Sequence, residues 1–90
     1  MAYVSVRLFT GTVIDIGSTP VQLGAALAGI HEVLVQSDPT NVGKMAVGNA
    51  TAQYIILTPG QAISIPVNTV ALVWVKMLTG TGIVNWLATE

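Results

Sequence analysis

The chain has 90 residues, a net charge of −1 and seven charged side chains, three of them basic. An ordinary soluble domain of this length carries about 22 charged residues and exposes about 5,000 Å² of surface. A surface with so few charges is poorly protected against association. The composition therefore predicts that other molecules cover much of the surface in the working state.

The composition also argues against several classes of function. Nucleic-acid binding needs a basic patch, whereas Arg7, Lys44 and Lys76 are far apart in the sequence. The longest apolar run, residues 70–75, is much shorter than the about 20 residues of a membrane-spanning helix. The N-terminal pattern predicts no signal peptide. We expect a protein that is made in the cytoplasm and binds neither nucleic acid nor membrane.

In the first half of the chain, apolar residues recur with a period of two, which indicates β-strands. The first predicted strand covers residues 3–9, within an N-terminal stretch (residues 1–16) that forms an arm or an extra strand. Residues 20–23 are predicted as a short strand followed by a loop or a single helical turn. Residues 31–37 are predicted as a strand with Val33 and Val35 on one face.

Three further strands are predicted in the second half. Residues 61–67 alternate, residues 72–77 are apolar on both faces, and residues 81–87 close the chain. A strand that is apolar on both faces is either central in its sheet or meets another subunit.

Turn chemistry separates these runs. Residues 58–60 predict a type II turn with Pro59 and Gly60 at its centre, and residues 79–82 predict a hairpin connection. Residues 37–43 predict a further turn, because Pro39 restricts φ and because Asn41 and Gly43 tolerate positive φ. Gly48 and Asn49 indicate another tight turn.

Short strands at this spacing, with turn signals throughout, predict an all-β sandwich or small barrel. We expect one domain over residues 1–90, built as a β-sandwich of about seven to eight antiparallel strands. The predicted core residues are Val33, Val35, Val47, Ile63, Ile65, Val73 and Val75.

No catalytic or metal-binding constellation is visible in the sequence. His31 is the only histidine and there is no cysteine, whereas a zinc site needs three or four converging ligands. Neither a Gly-x-Ser-x-Gly motif nor a complete phosphate-binding loop occurs. We therefore expect no enzymatic activity, no cofactor and no metal.

The two tryptophans allow a carbohydrate-binding alternative. Trp74 and Trp86 could stack on sugar rings if either were exposed beside a polar group such as Asn85 or Gln53. A tryptophan in an apolar strand is more often a core or interface residue, so this reading stays an alternative.

One pattern resembles a known group of proteins. A strand leads to an Asn-x-Gly turn, then a short strand ending in Val-Gly, and then Leu-x-Pro-Gly-Gln opens the next strand. The matching residues are Asn41, Gly43, Val47, Gly48, Leu57, Pro59, Gly60 and Gln61. Over about residues 19–88 the chain resembles small virion structural proteins of tailed phages, which decorate heads or form parts of head fibres and tail accessories.

This resemblance implies a jelly-roll-like sandwich that acts as a phage capsid decoration protein or an accessory virion protein. It implies a location on the capsid surface, with the major capsid protein and a homo-oligomer, most simply a trimer, as partners. A sugar-binding module or a fibre or tail accessory is the alternative role. The expected interface residues are Tyr3, Phe9, Leu72, Trp74, Met77 and Trp86.

Overall fold

The computed structural model describes residues 8–26 and 29–90, which contain eight β-strands and one short 3-10 helix. The strands are β1 (Leu8–Ile16), β2 (Val21–Gln22), β3 (Glu32–Ser37), β4 (Met45–Gly48), β5 (Gln53–Leu57), β6 (Ala62–Ile65), β7 (Trp74–Met77) and β8 (Gly82–Thr89). The 3-10 helix, Val70–Leu72, immediately precedes β7.

The strands form two four-stranded antiparallel sheets. Sheet A has the order β1-β8-β3-β6, and sheet B has the order β2-β7-β4-β5. The pairs β1·β8, β2·β7, β3·β6 and β4·β5 are those of one long hairpin folded over on itself, which is the winding of a jelly roll. The predicted all-β, jelly-roll-like sandwich is confirmed.

Alternation along the strands places one face of each sheet in the core. In sheet A, the inward row formed by Val33 and Val35 of β3 is completely buried. Of the predicted core residues, Val47, Val73 and Val75 are also buried, while Ile63 and Ile65 are half-buried and pack against the core. The predicted core is therefore confirmed, with its two isoleucines at the margin.

Of the N-terminal stretch, the structure describes residues 8–16. Residues 8–16 form β1, which pairs with β8 from Leu8↔Thr89 onward and is an integral strand of sheet A. The strand predicted over residues 3–9 lies mostly outside the described residues, and Tyr3 is among those not described.

The turn at residues 58–60 has the predicted geometry. Gly60 has a φ of 85°, and the Gln61 N–H donates to the Thr58 carbonyl oxygen at 2.9 Å, as a type II turn requires.

The connection at residues 79–82 is different from the prediction. Gly80 does have positive φ, but the turn joins β7 of sheet B to β8 of sheet A, so it is a crossover between sheets and not a hairpin.

The strand predicted over residues 72–77 begins later than expected. Thr69 caps the 3-10 helix, with its side-chain oxygen accepting from the Ala71 N–H at 3.3 Å, and the strand starts only at Trp74. Leu72 therefore lies on the helix, where 55% of its surface is exposed, and not in a central strand.

The turn around Asn41 and Gly43 forms without positive φ, although both residues tolerate it; within the described residues positive φ occurs at Asp15, Gly29, Gly60 and Gly80. Gly43 is needed for space, because a Cβ there would lie 2.7 Å from the Thr79 carbonyl oxygen.

Asn41 itself acts as a clamp on the start of β8. Its Oδ1 accepts from the Ile83 N–H at 2.8 Å, and its Nδ2 donates to the Ile83 carbonyl oxygen at 2.8 Å and to Ser37 Oγ at 2.9 Å. The Asn41 side chain is 8% exposed and Ser37 is completely buried. The amide thus replaces a neighbouring strand at the point where β8 begins.

We predict that Asn41→Ala lowers the free energy of unfolding by about 1–3 kcal/mol, because the Ile83 N–H and the buried Ser37 hydroxyl lose their Asn41 partner. The Ile83 carbonyl oxygen keeps the Asp38 N–H, which donates to it at 3.0 Å. The measurement is chemical denaturation at one fixed protein concentration, since assembly would add to the apparent stability. Asn68→Ala is the matched control: Asn68 is exposed, so a change within about 0.5 kcal/mol is expected. Equal losses in the two variants would contradict the clamp.

Candidate assembly surface

A sandwich of two open sheets has two long edges, and one of them is protected in this chain. At this edge β2 is only two residues long, and the ladder of β1 is interrupted between Val13 and Ile16. Asp15 lies in that interruption with a φ of 57°. Short strands, bulges and charges are the devices that keep sheet edges from pairing with other chains.

The opposite edge, formed by β5 and β6, is less protected. In the described part of the chain each of these strands is hydrogen-bonded on one side only, β5 to β4 and β6 to β3. Residues 45–75, which build β4 to β6 and the 3-10 helix, contain no charged residue. The scarcity of charge in the composition is thus concentrated at this edge.

The residues of β5 that face solvent are apolar. Tyr54 is 83% exposed, Ile55 48% and Ile56 43%. Tyr54 is the extra residue of a β-bulge, because Val47 pairs with Ile55 whereas Gly48 pairs with Gln53. Three consecutive exposed apolar residues on an uncharged edge strand are the pattern of a strand that pairs with another chain.

Between the two edge strands the sandwich is open, and the opening forms an apolar groove of about 420 Å³. We call it the β5–β6 groove. Ile55 lines it on the side of sheet B, Ile63 and Ile65 line it on the side of sheet A, and Val67 and Leu72 also border it. Asn49 stands beside the groove, and none of the residues lining it is charged.

The predicted interface residues 72, 74 and 77 do not all lie at the surface of the sandwich. Leu72 borders the β5–β6 groove, and Trp74 is half-buried in the row that it shares with Gln22 and Gly48. Met77 is 1% exposed and belongs to the core of the sandwich. Met77 therefore offers no surface to a partner, which removes it from the predicted set.

Phe9 and Trp86 pack against the core and are half-buried. A Cβ on Gly11 would meet the Trp86 indole ring, and a Cβ on Gly24 would lie 3.4 Å from it, so the ring lies over two glycines. This position explains why a tryptophan fits inside so small a sandwich. Whether the exposed part of Trp86 also meets a partner stays a prediction.

Trp86 and Asn85 do not form the sugar-stacking platform of the alternative function. Trp86 pairs with Val35, which is completely buried, so the indole is on the inner face of sheet A. Asn85, the polar neighbour that such a platform would use, is one position along β8 and therefore on the other face. Gln53 is 8% exposed, and its Nε2 donates to the Asn49 carbonyl oxygen at 2.6 Å.

The outer face of sheet A carries a polar network centred on Asn85. The Thr12 hydroxyl donates to Asn85 Oδ1 at 3.0 Å, and Asn85 Nδ2 donates to Asp38 Oδ2 at 2.9 Å and Gln36 Oε1 at 3.3 Å. The hydroxyl and the N–H of Thr40 both donate to Asp38 Oδ1. These bonds, first that of the Thr40 hydroxyl and then that of Asn85, lower the pKa of Asp38 below its ordinary value of 3.8.

Possible metal ligands do not form a cluster in the part of the chain that the structure describes. No three histidine, aspartate or glutamate side chains come together there as a metal site would need. His31 is exposed, and its backbone N–H donates to the Thr89 carbonyl oxygen at 2.8 Å. Over the same residues, no helix has the length and apolar character that crossing a bilayer requires.

Comparison with protein-family models, with curated protein sequences and with solved structures found no match to this chain. The β5–β6 edge must therefore be interpreted from its own geometry.

Sequence reasoning did not identify β5 as part of a surface. Its sequence, Gln-Tyr-Ile-Ile-Leu, is a continuous run and lacks the alternation that marked the other strands. A usable signal was nevertheless present, namely an aromatic and β-branched run between the turn at Asn49 and the turn at Pro59, within a long stretch without charge.

The lowered pKa of Asp38 predicts a specific acid dependence of stability. A carboxylate with a depressed folded-state pKa stabilises the fold fully above its unfolded value, here 3.8, and loses that contribution as the pH falls through its folded pKa. We expect the unfolding free energies of wild type and Asp38→Asn to differ most above this value and to converge as the pH falls toward about 2. Urea unfolding across this range measures both; a difference that stays constant would contradict the assignment.

Proposed function

We propose that this chain is a structural protein of a tailed-phage virion that assembles with copies of itself and binds the capsid surface, reinforcing it without catalysis. The observation that carries the proposal is the β5–β6 edge, with its exposed apolar strand and open groove. Such an edge is a liability in a free monomer and an asset in an assembled protein.

The fold is compatible with this role, although a fold alone does not specify function. Jelly rolls occur in viral capsid proteins and also in lectins. The lectin alternative rests on the two tryptophans, of which Trp86 packs against the core and Trp74 is half-buried. The phage resemblance of residues 19–88 and the uncharged edge both favour the assembly role, so no second function is proposed.

The energetics of association also favour a protein partner. Specific interfaces bury about 800 Å² on each partner, and their cores are depleted of charge. Residues 45–75 supply uncharged surface on β5, on β6 and on the 3-10 helix. Apolar burial contributes about 25 cal/mol per Å², against association costs of about 4–15 kcal/mol. Apolar burial of ordinary interface size at this edge would therefore be of the order needed to offset these costs.

We predict that Ile56→Lys weakens self-association, raising the dissociation constant by about 30-fold or more, which corresponds to about 2 kcal/mol. The charge would have to be buried in the interface that covers β5. Sedimentation and native mass measurements over a concentration series report the change. Ile14→Lys is the matched control, because Ile14 is 62% exposed on the edge strand β1. A wild-type chain that stays monomeric at micromolar concentration would overturn the self-association.

Virion location is tested by comparing particles made with and without this reading frame. We expect the chain in the purified virions by mass spectrometry, and extra density on the head surface that is missing from the deletion particles by cryo-electron microscopy. Deletion particles should also release their genome at lower temperature, because a reinforcing contact is lost. Virions without the chain, or density confined to the tail, would overturn the capsid assignment.

A further inference from the structure

The β5–β6 groove has features that identify its occupant. We propose that it binds residues 3–7 of a second copy of this chain, added as an extended strand at the open edge of the sandwich. The inference rests on the proposed self-assembly and names the segment that performs it.

The groove is suited to an extended apolar segment. Its floor follows Ile63 and Ile65 of β6 and continues to Val67, just beyond the strand, a span of about 13 Å for an extended chain. Both flanking strands are hydrogen-bonded on one side only in the described part of the chain, so each presents backbone groups to an incoming strand. Strand addition of this kind gains affinity from main-chain hydrogen bonds and specificity from pockets for alternate side chains.

Residues 3–7 fit these requirements in length, pattern and charge. Five extended residues also span about 13 Å. Val4 and Val6 fall on one face of such a strand, and Tyr3, Ser5 and Arg7 fall on the other. The valines suit an uncharged apolar floor, while the opposite face keeps the serine and the arginine in water.

The geometry of sheet A excludes delivery of this segment to the groove of its own chain. Residues 3–7 precede Leu8, which begins β1, and β1 is separated from β6 by β8 and β3. Three strand spacings amount to about 14 Å. Val6 is two residues from Leu8 and reaches at most about 7 Å. Both valines can enter a groove only if the groove belongs to another copy.

This arrangement also determines how copies connect. Each chain would give its segment from the β1 edge and receive one at the β5–β6 edge, which are opposite edges of the sandwich. Such a contact closes either as a reciprocal dimer or as a ring of several copies.

Engineered cysteines test the contact directly, because the natural chain has none. Chains carrying Val6→Cys are mixed with chains carrying Ile55→Cys or Leu72→Cys and oxidised mildly. We expect disulfide-linked pairs at a rate at least about 10-fold above that with Leu78→Cys, whose parent side chain is 46% exposed outside the groove. Equal rates for the groove and control positions would overturn the proposal.

A second comparison uses paired substitutions of equal charge. Val4→Asp with Val6→Asp is expected to abolish the assembly seen by native mass measurement, whereas Tyr3→Asp with Ser5→Asp should leave it intact. Both double variants change residues before β1, so the sandwich should unfold at the same temperature in both. Assembly that survives in the valine variant would overturn this inference and leave the proposed self-assembly standing, with another segment or face responsible. A monomeric wild type would overturn both.

Discussion

The position of β8 between β1 and β3 is the constraint on which the rest of the structure depends. β8 brings the C-terminal end of the chain against Leu8–Ile16 on one side and against Glu32–Ser37 on the other. The turn around Gly80 joins β8 of sheet A to β7 of sheet B, where β7 lies between β2 and β4. The central segments β5 and β6 are left at the free edge. The location of the groove therefore follows from the winding of the chain.

The two edges of this sandwich show how few charges a small domain needs when it places them selectively. The β1–β2 edge has a two-residue strand and a bulge that contains Asp15. The β5–β6 edge has no charge in either strand. Because edge protection is a common requirement of soluble β proteins, its presence on one side and absence on the other is one of the observations behind the proposed assembly at the β5–β6 edge. The net charge of −1 is a sum over the whole chain, so it does not show that the two edges differ in charge.

Much of the fold could be predicted from the sequence, since alternation and turn chemistry are local signals. They gave the inward row of Val33 and Val35 and the type II turn at Gly60. The errors concern relations between distant residues. A turn does not reveal which sheet the next strand joins, so the crossover around Gly80 was predicted as a hairpin. Trp86 fits inside because Gly11, on another strand, leaves room for its ring.

The candidate surface was harder to predict for a related reason. A strand that is apolar on both faces, like residues 72–77, indicates burial but does not say whether the cover is the same subunit or another one. In the structure, two residues of this run have different environments. Met77 is buried in the core of its own chain, whereas Leu72 borders the groove. β5 gave no alternation at all, because Tyr54, Ile55 and Ile56 are apolar on successive positions and all three are exposed.

An uncharged edge also places a requirement on how the protein folds and assembles. Every pair of strands except β4·β5 joins segments distant in sequence, and β-topologies of this kind form slowly. The apolar run Gln53–Leu57 is therefore exposed during folding and remains at an edge afterwards. Such a segment avoids non-specific aggregation only if its specific partner reaches it first. In the proposed role, the regular spacing of sites on a capsid supplies that advantage, because copies bound to neighbouring sites meet at high effective concentration. The edge that is a hazard in solution thus becomes useful on a surface that arranges its partners in advance.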